Sequence, residues 1–385
     1  MKIGRLIKQP VGYKAFIPDK FPPDQPIILS IKTQQLHARA VLMLGKLDGI
    51  TQLLPDLDFF ILMYITKEAT RSSEIEGTKA TIVDVIRSGA GIEYRLPQDV
   101  DRILHYIKAM EYGLRRLESL PLSLRFIREI HKVLLEDTAD APGKTPGEFR
   151  ASQNWIGGGS PNTARFVPPP PTELSRCLDD FEKFLYSDDE YPPLIKAALA
   201  HAQFETIHPF LDGNGRAGRL LTTFYLCNLG MLERPVLYLS EYFLNNHQTY
   251  YDALNEYHSE HGEISTWLNF FLDGVAIIAD EAIGISKKIN TLRQKDIDKI
   301  QTLGRRAKTG IIVLENLYRL PIVSVRTIVE WTGLSRPQAN ELVKKLLEIG
   351  ILEQKNKDID YGREFWYKNY LDLFLSKEEA SGDRR

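Results

Sequence analysis

The chain has 385 residues, which is too long for one ordinary core and predicts two or three domains, since a domain usually contains roughly 100–200 residues. Its 43% hydrophobic and 26% charged residues are typical of a globular protein and indicate neither disorder nor a membrane protein. The formal net charge of −2 excludes a global attraction to nucleic acid or to an anionic membrane, so such binding would need a local patch.

The two cysteines and the N-terminal residues indicate the cellular environment. Cys177 and Cys227 form no CxxC pair and no short Cys/His cluster, which disfavours a zinc site and a disulfide scaffold. The first 19 residues contain no apolar run like that of a signal peptide, and no apolar stretch is long enough to span a bilayer. We therefore predict a cytoplasmic protein without membrane contact.

The first third of the chain is predicted to be helical. Residues 1–30 are rich in proline and predict extended or turn structure. After them, apolar residues recur at helical spacing and predict helices at residues 33–53, 56–89, 99–120 and 122–135, with Gly77 interrupting the second. We assign residues 1–100 to an N-terminal helical region.

Residues 140–171 break this pattern, because prolines, glycines and the triplet Gly157 to Gly159 prevent a helix from continuing. The flanking residues 150–156 and 163–167 are short enough to predict the two strands of a β-hairpin. Helical spacing then resumes and predicts helices at residues 172–187, 193–207 and 218–229 and, in pieces, at 240–285. We assign residues 101–285 to a second, mainly helical core.

The end of the chain follows a different pattern. A charged, helix-compatible connector is predicted at residues 286–304 and a compact domain at 305–385. Within the domain the sequence predicts helices at 310–319, 324–331 and 336–349, with a tight turn at 332–335, and then strands at 351–354 and 364–367. This order is typical of a winged helix-turn-helix. The predicted fold class is therefore mainly α, with a small β-hairpin and a C-terminal winged helix-turn-helix domain.

The segment from His208 to Arg219 reads HPFLDGNGRAGR and lies between two predicted helices. Its glycines Gly213 and Gly215 flank Asn214 and allow φ > 0, so that successive N–H groups turn toward one point. The helix that follows adds its positive N-terminal end to the same point. The segment therefore predicts a phosphate-binding site.

Four side chains of this segment indicate what happens to the bound phosphate. Arg216 and Arg219 lie three residues apart on the first helical turn and can clamp phosphate oxygens together. Asp212 offers a hard oxygen ligand that suits Mg²⁺. His208 can take a proton from an incoming hydroxyl near neutral pH. Together they predict nucleotide transfer.

These residues resemble the signature of the Fic family, HPFx[D/E]GNGRxxR, at every specified position. The resemblance implies a protein adenylyltransferase that uses ATP and Mg²⁺ to place AMP on a Tyr, Thr or Ser hydroxyl of a protein target, this chain itself included. It implies that His208 is the catalytic base and Asp212 the metal ligand. The nucleotide-binding residues that it implies are Phe210, Gly213, Asn214, Gly215, Arg216 and Arg219.

Two further regions are similar to parts of the family's binding sites. The hairpin at 150–168 resembles the flap that aligns an extended target segment by strand addition, with Ile156, Gly157 and Phe166 as docking residues. The alternative is a surface hairpin without a partner. Tyr250 and Tyr251 follow the motif helix where the family contacts adenine and ribose, and ordinary helix packing is the alternative.

A short pattern in the front helix predicts regulation. Residues Ser72 to Gly77 match the inhibitory pattern [S/T]xxxE[G/N] of the family. The resemblance implies that Glu76 reaches Arg219 and takes the place of the γ-phosphate, so that ATP binds unproductively. The alternative is an i,i+4 pair of Ser72 and Glu76 on a solvated helix face.

The role of the C-terminal domain stays open at this stage. Residues 305–385 contain 15 Lys/Arg against 12 Asp/Glu, a small positive excess for a DNA-binding surface. The candidate major-groove contacts of the third helix are Arg336, Gln338, Asn340 and Lys344, and Glu341 and Glu348 interrupt this basic face. DNA contact, protein docking, formation of a homodimer and a purely structural role are the alternatives.

Two other functions compete with AMP transfer. One is an ATP-sensing DNA-binding regulator in which Glu76 holds the core shut. The other is a Fic enzyme that removes AMP or transfers a different phosphate-containing group. The intact Arg219 and the unaltered motif favour ATP and transfer.

Overall fold

The computed structural model describes residues 3–23, 27–52, 57–91, 97, 99–138, 141–187, 191–259, 262–355 and 362–375. Helices predominate in these ranges, which confirms the mainly α fold class, and two small antiparallel sheets accompany them. Every helix in the described ranges is too short or too polar to cross a lipid bilayer.

The chain begins with a β-hairpin that the sequence pattern did not reveal. Strands β1 (Gly4–Lys8) and β2 (Lys14–Pro18) pair antiparallel along their whole length. Gly12 in the connecting turn takes φ +104°, a conformation that glycine adopts readily. Phe16 on β2 is fully buried and attaches the hairpin to the core. Two five-residue strands in a proline-rich segment have too little alternation to be recognised from sequence.

Five helices follow the hairpin: α1 (Ile31–Gln52), α2 (Leu57–Ile75), α3 (Ile82–Gly89), α4 (Val100–Leu117) and α5 (Leu124–Leu135). The single helical pattern predicted at 56–89 is thus two helices. The chain leaves α2 at Gly77, which takes φ +91°. Thr81 then caps α3: its hydroxyl accepts a hydrogen bond from the Asp84 N–H, and the Asp84 carboxylate accepts one from the Thr81 N–H.

The central helices are α6 (Pro171–Tyr186), α7 (Pro193–Ile207), α8 (Asn214–Asn228), α9 (Ser240–Asn245), α10 (His247–Tyr257) and α11 (Ile264–Gln301). Every residue of α7 from Leu194 to Ile207 is buried, so other elements cover this helix on all sides. Helix α8 packs against α7 and α4, and a side chain at Gly113 of α4 would collide with the Phe224 ring of α8. The two innermost helices therefore hold residues 208–213, which join them, in a rigid frame.

Helix α11 contains 38 residues and continues to Gln301, through most of the stretch predicted as a connector at 286–304. The many charged residues of this stretch made its apolar face hard to recognise in the sequence. Ile289 and Ile300 form this face, and both are fully buried. Asp296 on the same face is also fully buried, and its carboxylate accepts a hydrogen bond of 2.7 Å from the Tyr367 hydroxyl. The connector residues are therefore part of a docked helix, followed by a short 3-10 helix at Gly304–Arg306.

The C-terminal residues form α12 (Ala307–Arg319), β3 (Ile322–Val323), α13 (Val325–Thr332), α14 (Arg336–Glu348), β4 (Glu353–Gln354), β5 (Phe365–Trp366) and α15 (Lys368–Leu371). The three strands pair antiparallel in the order β3-β5-β4. The predicted helices and strands occur. Strand β3 is additional, and with two residues it is too short to be predicted from the sequence pattern. Most of the predicted loop between the last two strands, residues 356–361, lies outside the described residues.

The C-terminal unit packs against the front helices. The Tyr64 ring of α2 meets the Phe374 ring edge to face at 5.3 Å between centroids, and the Tyr64 hydroxyl lies 3.0 Å from that of Ser286. Arg87 at the end of α3 forms an ion pair of 3.0 Å with Glu364 and covers the Trp366 ring. Helix α2, which carries the inhibitory pattern, therefore lies between the central helices and the C-terminal unit.

Candidate active site

The corner between α7 and α8 begins at His208, which takes φ +48° and ψ +62°. This left-handed conformation is uncommon for a residue with a side chain and persists only where surrounding contacts hold it. Arg150 supplies such contacts: its Nε donates to the His208 carbonyl at 2.9 Å, and its Nη2 donates to the carbonyls of Ile207 and Pro169. Asn154 donates to the same His208 carbonyl at 3.1 Å. The predicted base thus has a fixed backbone.

The loop after His208 is closed by Asn214. Its Oδ1 accepts a hydrogen bond from the Phe210 N–H, and its Nδ2 donates to the Phe210 carbonyl, both at 2.8 Å. Gly213 takes φ +72° at the N-cap of α8, as the nest geometry predicts. The Asn214 amide is therefore engaged within the loop, and the N–H groups that start α8 remain the natural anion site.

His131 supports this loop from α5, a contact that the sequence pattern did not suggest. The Phe210 ring, itself fully buried, stacks on the His131 ring at 3.6 Å between centroids. His131 Nδ1 accepts a hydrogen bond of 2.9 Å from the Gly147 N–H, so Nε2 carries the ring hydrogen and donates to the Asp212 carbonyl at 2.9 Å. Burial lowers the pKa of His131 to about 4, so the imidazole is neutral at neutral pH.

Asp212 presents its carboxylate at the rim of the site. Oδ1 accepts a hydrogen bond of 2.6 Å from the Gly213 N–H, and Oδ2 lies 3.7 Å from Lys144 Nζ. The side chain is 38% exposed, so its outer edge is open to a ligand. Among the described residues, no group of three or more His, Cys, Asp or Glu could hold a metal. Mg²⁺ nevertheless suits this position, because it commonly binds one carboxylate together with waters and substrate phosphates.

Both arginines of the motif are buried and both contact Glu76. Arg219 Nη2 donates to Glu76 Oε1 at 2.8 Å, and Arg216 Nε lies 2.7 Å from Glu76 Oε2. Each arginine side chain is 3% exposed, whereas that of Glu76 is 28% exposed. Ser72, one turn earlier on α2, accepts hydrogen bonds from Arg219 through its hydroxyl at 2.7 Å and its carbonyl at 2.9 Å. The predicted pair of Glu76 and Arg219 is present, and Arg216 joins it.

The surroundings of Arg219 keep it charged. Burial lowers the pKa of its guanidinium, but the Glu76 carboxylate and neighbouring groups outweigh burial and raise that pKa. The buried Glu68 is also close enough to interact with Arg219, and its carboxylate accepts hydrogen bonds from the Tyr106 hydroxyl at 3.0 Å and the Ser240 N–H at 3.0 Å. Burial raises the pKa of Glu68, while these donors and the Arg219 charge oppose the rise. Two carboxylates therefore act on Arg219, that of Glu68 from α2 and that of Glu76 from just after its end.

The flap is smaller than the sequence predicted. Residues 150–156 and 163–167 pair only at Ile156 and Phe166, so the prediction of two strands is wrong although the antiparallel turn is present. Gly157 and Gly158 take φ +69° and +76°, and a side chain at Gly158 would collide with the backbone of Thr163. The two segments therefore meet at a single residue pair and form no ladder.

The two predicted docking side chains of the flap have different surroundings. Phe166 is buried against the His258 ring, with 4.1 Å between centroids, and against Phe16 of β2. Ile156 is half-buried, and the neighbouring Trp155 is 39% exposed. Only the Ile156 side of the flap is therefore accessible to a partner. The docking roles of Ile156, Gly157 and Phe166 stay predictions.

The two tyrosines predicted near the nucleotide also differ. Tyr250 is buried in the core: its hydroxyl bonds His201 Nε2 at 3.0 Å, and its ring stacks on Phe243. Tyr251 is half-buried, and the Arg165 guanidinium covers its ring at 5.7 Å. Tyr250 thus packs as the alternative described, whereas Tyr251 borders the flap. A nucleotide contact stays a prediction for both.

Two stretches of the chain, one of which contains the site, match known protein families. Residues 121–226 match the Fic/DOC family, and residues 34–115 match the family described as Fic/DOC family N-terminal. These two matches confirm the resemblance of the motif at 208–219 to the Fic/DOC family.

Curated relatives and a solved structure agree with this assignment. The "Protein adenylyltransferase Fic" of Drosophila yakuba is 28% identical over 205 residues, which cover 52% of this chain and 38% of the relative. That of Aedes aegypti is 34% identical over 154 residues, covering 40% of this chain and 27% of the relative. The chain therefore spans well under half the length of these relatives. A crystal structure of a Fic family protein from Desulfovibrio desulfuricans G20 covers 89% of this chain and 98% of its own, with a TM-score of 0.58 at 19% identity, and shows the same fold.

Proposed function

We propose that this chain is a protein adenylyltransferase that transfers AMP from ATP to a Tyr, Thr or Ser hydroxyl of a protein target. The observation that carries the proposal is the gathering of His208, Asp212, Arg216 and Arg219 around the N-terminus of α8. The names of the curated relatives support the same activity. The complete motif favours transfer over removal of AMP, because a γ-phosphate clamp is of use only to a triphosphate.

In the proposed reaction His208 takes the proton of the target hydroxyl as its oxygen attacks the α-phosphorus. The bond from the α-phosphorus to the bridging oxygen breaks, and pyrophosphate leaves with the bond electrons. Arg216 and Arg219 neutralise phosphate charge, as do the free N–H groups at the start of α8. The proton on His208 then passes to solvent, which returns the base to its starting state.

Asp212 is the residue that would hold Mg²⁺. The exposed edge of its carboxylate can accept a metal ion. The nearby Lys144 ammonium group indicates that this position accommodates a positive charge. When bound, the ion would neutralise phosphate oxygens and favour departure of pyrophosphate. When no ion is bound, the Lys144 ammonium group partly neutralises the Asp212 carboxylate.

We also propose that Glu76 inhibits the enzyme by occupying both phosphate clamps. A carboxylate within 2.8 Å of each guanidinium has the charge and position of a phosphate oxygen. The side chain is more exposed than its partners, so it can leave without moving them. Displacing it leaves two buried cations for the incoming phosphates, and this exchange makes the lock reversible.

Helix α2 is fastened behind this contact, which explains how Glu76 would be held in place. Arg71 bonds Glu241 of α9 and Glu74 of α2 at 2.7 Å each, and Lys67 pairs with Glu281 of α11 at 3.0 Å. Release of Glu76 is therefore expected to be a movement of the end of α2, not of the whole helix. Gly77 gives this end its freedom of backbone conformation.

For the C-terminal unit we propose a structural role on α2, supported by its contacts with Tyr64 and Arg87. Side chains of α14, the helix that carries the candidate DNA contacts, already bond other residues of the chain. Asn340 donates to the Arg336 carbonyl and accepts from Arg363, and Glu341 pairs with Arg306 at 2.5 Å. Binding to random duplex DNA at several salt concentrations tests this choice, since a DNA-binding surface would show salt-dependent affinity.

The proposed activity is tested with labelled ATP and mass spectrometry. The Glu76→Gly chain is incubated with ATP and a cell lysate, and modified peptides are identified by the mass of AMP. Glu76→Gly combined with His208→Ala is the matched control. AMP on hydroxyl side chains in the first sample alone supports the proposal. Label on the same sites in both samples, or no label in either, contradicts it.

A further inference from the structure

A buried carboxylate lies directly behind the predicted base. Glu205, in the last turn of α7, is 5% exposed, and its Oε2 lies 3.5 Å from His208 Nδ1. Within the described part of the chain, neither His208 Nδ1 nor Glu205 Oε1 has a hydrogen-bond partner, and both atoms are fully buried. The imidazole and the carboxylate therefore lie within reach of each other, and the buried His258, whose ring nitrogens also have no partner among the described residues, is close enough to interact with both.

The position of the Glu205 carboxylate is set by close packing. A side chain on Gly218 of α8 would lie 2.6 Å from Glu205 Oε1, so the two helices approach as closely as a glycine permits. The carboxylate is therefore confined on the side that faces α8. Since burying an unpaired charge is costly, a group held in this place is expected to have a charged or hydrogen-bonding task there.

The local charges keep Glu205 ionised. Burial raises the pKa of its carboxyl, but contact with His208, followed by the charges of His201 and Arg219, lowers that pKa below its ordinary value overall. The His208 side chain is 17% exposed although its Nδ1 is buried, so the accessible part of the ring lies away from Glu205. The ring therefore has one edge toward a carboxylate and another toward the site.

We infer that Glu205 is a positioning residue that accepts the Nδ1 hydrogen of His208 and so leaves Nε2 free to take the proton of the target hydroxyl. The same carboxylate stabilises the imidazolium that forms when Nε2 gains that proton, as a carboxylate behind a catalytic histidine generally does. The catalytic part of this inference rests on the proposed function. The contact between Glu205 and His208 is independent of that function.

The tautomer of His208 tests the contact without any measurement of activity. Histidine ring ¹⁵N chemical shifts are recorded at neutral pH for the ¹⁵N-histidine-labelled chain, with His208→Ala identifying the signal. We expect Nδ1 to carry the hydrogen in the wild-type chain. In Glu205→Gln the amide can donate to Nδ1, and the hydrogen is expected to move to Nε2. A wild-type His208 with its hydrogen on Nε2 overturns the inference.

Kinetics test the consequence in the Glu76→Gly chain. Adding Glu205→Gln, which keeps the side-chain shape, should lower kcat by about a hundredfold, within the usual range for a lost general base, and leave the KM for ATP within about twofold. The matched control is Thr206→Val, which removes a hydroxyl that, among the described residues, bonds the Ala202 carbonyl of the same helix, and it should leave kcat unchanged. Equal kcat in Glu205→Gln and the control overturns the inference.

The two experiments separate this inference from the proposed function. If the Glu76→Gly chain transfers no AMP, the proposed function fails, and the ring shifts still decide whether Glu205 sets the tautomer. Thermal unfolding and ATP binding of Glu205→Gln show whether its fold is intact. A variant that does not fold leaves the wild-type tautomer as the deciding result.

Discussion

Glu76 Oε1 and Arg219 Nη2 lie 2.8 Å apart although 143 residues separate them along the chain. The same carboxylate reaches Arg216 with its other oxygen at 2.7 Å. One side chain just after the end of α2 thus contacts both guanidinium groups that α8 offers to phosphate. The predictions below concern this contact and the groups around it.

Replacing Glu76 by Gly should raise AMP transfer by about tenfold or more, because a tenfold effect needs only about 1.4 kcal/mol and a shielded ion pair can supply it. Transfer is measured with labelled ATP on the chain itself. Glu74→Gln is the matched control, since Glu74 is on the same turn but bonds Arg71. Transfer that is unchanged in Glu76→Gly, with ATP bound, would remove the inhibitory role.

Because Glu76 is proposed to act through the arginines, its removal should not help an enzyme that lacks them. The double variant Glu76→Gly with Arg219→Ala is expected to lose most of the gain, and the two changes should be non-additive. A full gain in the double variant would mean that Glu76 inhibits by another route.

His208→Ala, made in the Glu76→Gly chain, should abolish transfer while ATP affinity stays nearly intact, because the ring acts on the hydroxyl. General base catalysis is commonly worth roughly 10²–10⁴-fold. Transfer rates and ATP binding by calorimetry are the two measurements. Retention of more than about a tenth of the rate would contradict the assignment of the base.

Lys144 should compete with Mg²⁺ for Asp212, since its Nζ lies 3.7 Å from Oδ2. In the Glu76→Gly chain, Asp212→Ala is expected to lose Mg²⁺-dependent transfer. Lys144→Met should lower the Mg²⁺ concentration for half-maximal transfer, by about twofold to fivefold for an exposed pair worth up to about 1 kcal/mol. Lys132→Met, which removes a lysine paired with Glu136, is the control. Normal Mg²⁺ saturation in Asp212→Ala would assign the metal elsewhere.

The flap prediction is tested best at Ile156, because Phe166 is buried and its replacement by Asp would disturb the core. Ile156→Asp should impair modification of a protein target much more than ATP binding. The reason is that strand addition aligns the target backbone and leaves the nucleotide site untouched. Equal losses of target modification and ATP binding would indicate misfolding, and no loss would make the flap a surface turn.

Acidification should destabilise the motif loop through His131. Its pKa is about 4 in the folded chain against an ordinary 6.5, so between these values the unfolded chain binds a proton that the folded chain does not. The free energy of unfolding therefore falls as the pH falls through this window. In His131→Gln, whose amide can satisfy both partners, the midpoint of thermal unfolding should depend less on pH between about 6.5 and 4. An equal pH dependence in both chains would contradict this assignment.

How much of the fold and of the candidate site could be predicted from the sequence depends on how far apart along the chain the contacting residues lie. The helices were predictable, because apolar spacing reports the face that a helix buries, as in α5 with Phe126, Ile130 and Leu134. The motif at 208–219 was predictable for the same reason: base, metal ligand, nest and clamps are local in the chain. The match of residues 121–226 to the Fic/DOC family includes this compact signal.

Other parts of the site were invisible or only half visible. Glu205 is three residues before His208 on α7, a spacing that could have suggested the contact, yet many Glu–His pairs at this spacing are solvated. His131 and Arg150 gave no local signal, since their partners lie far along the chain. The flap strands were overpredicted because the sequence pattern cannot show that the two segments pair only at Ile156 and Phe166.

The sequence by itself determined the helical class, the phosphate-binding corner and the candidate inhibitory residue, because each is specified by neighbours within one or two helical turns. Tertiary structure alone decided that Glu76 bridges both Arg216 and Arg219, and that Glu205 lies behind His208 with one oxygen against Gly218. The physical reason is that direction and burial of a side chain depend on how helices cross, and the packing of α2, α7 and α8 is a property of the whole fold.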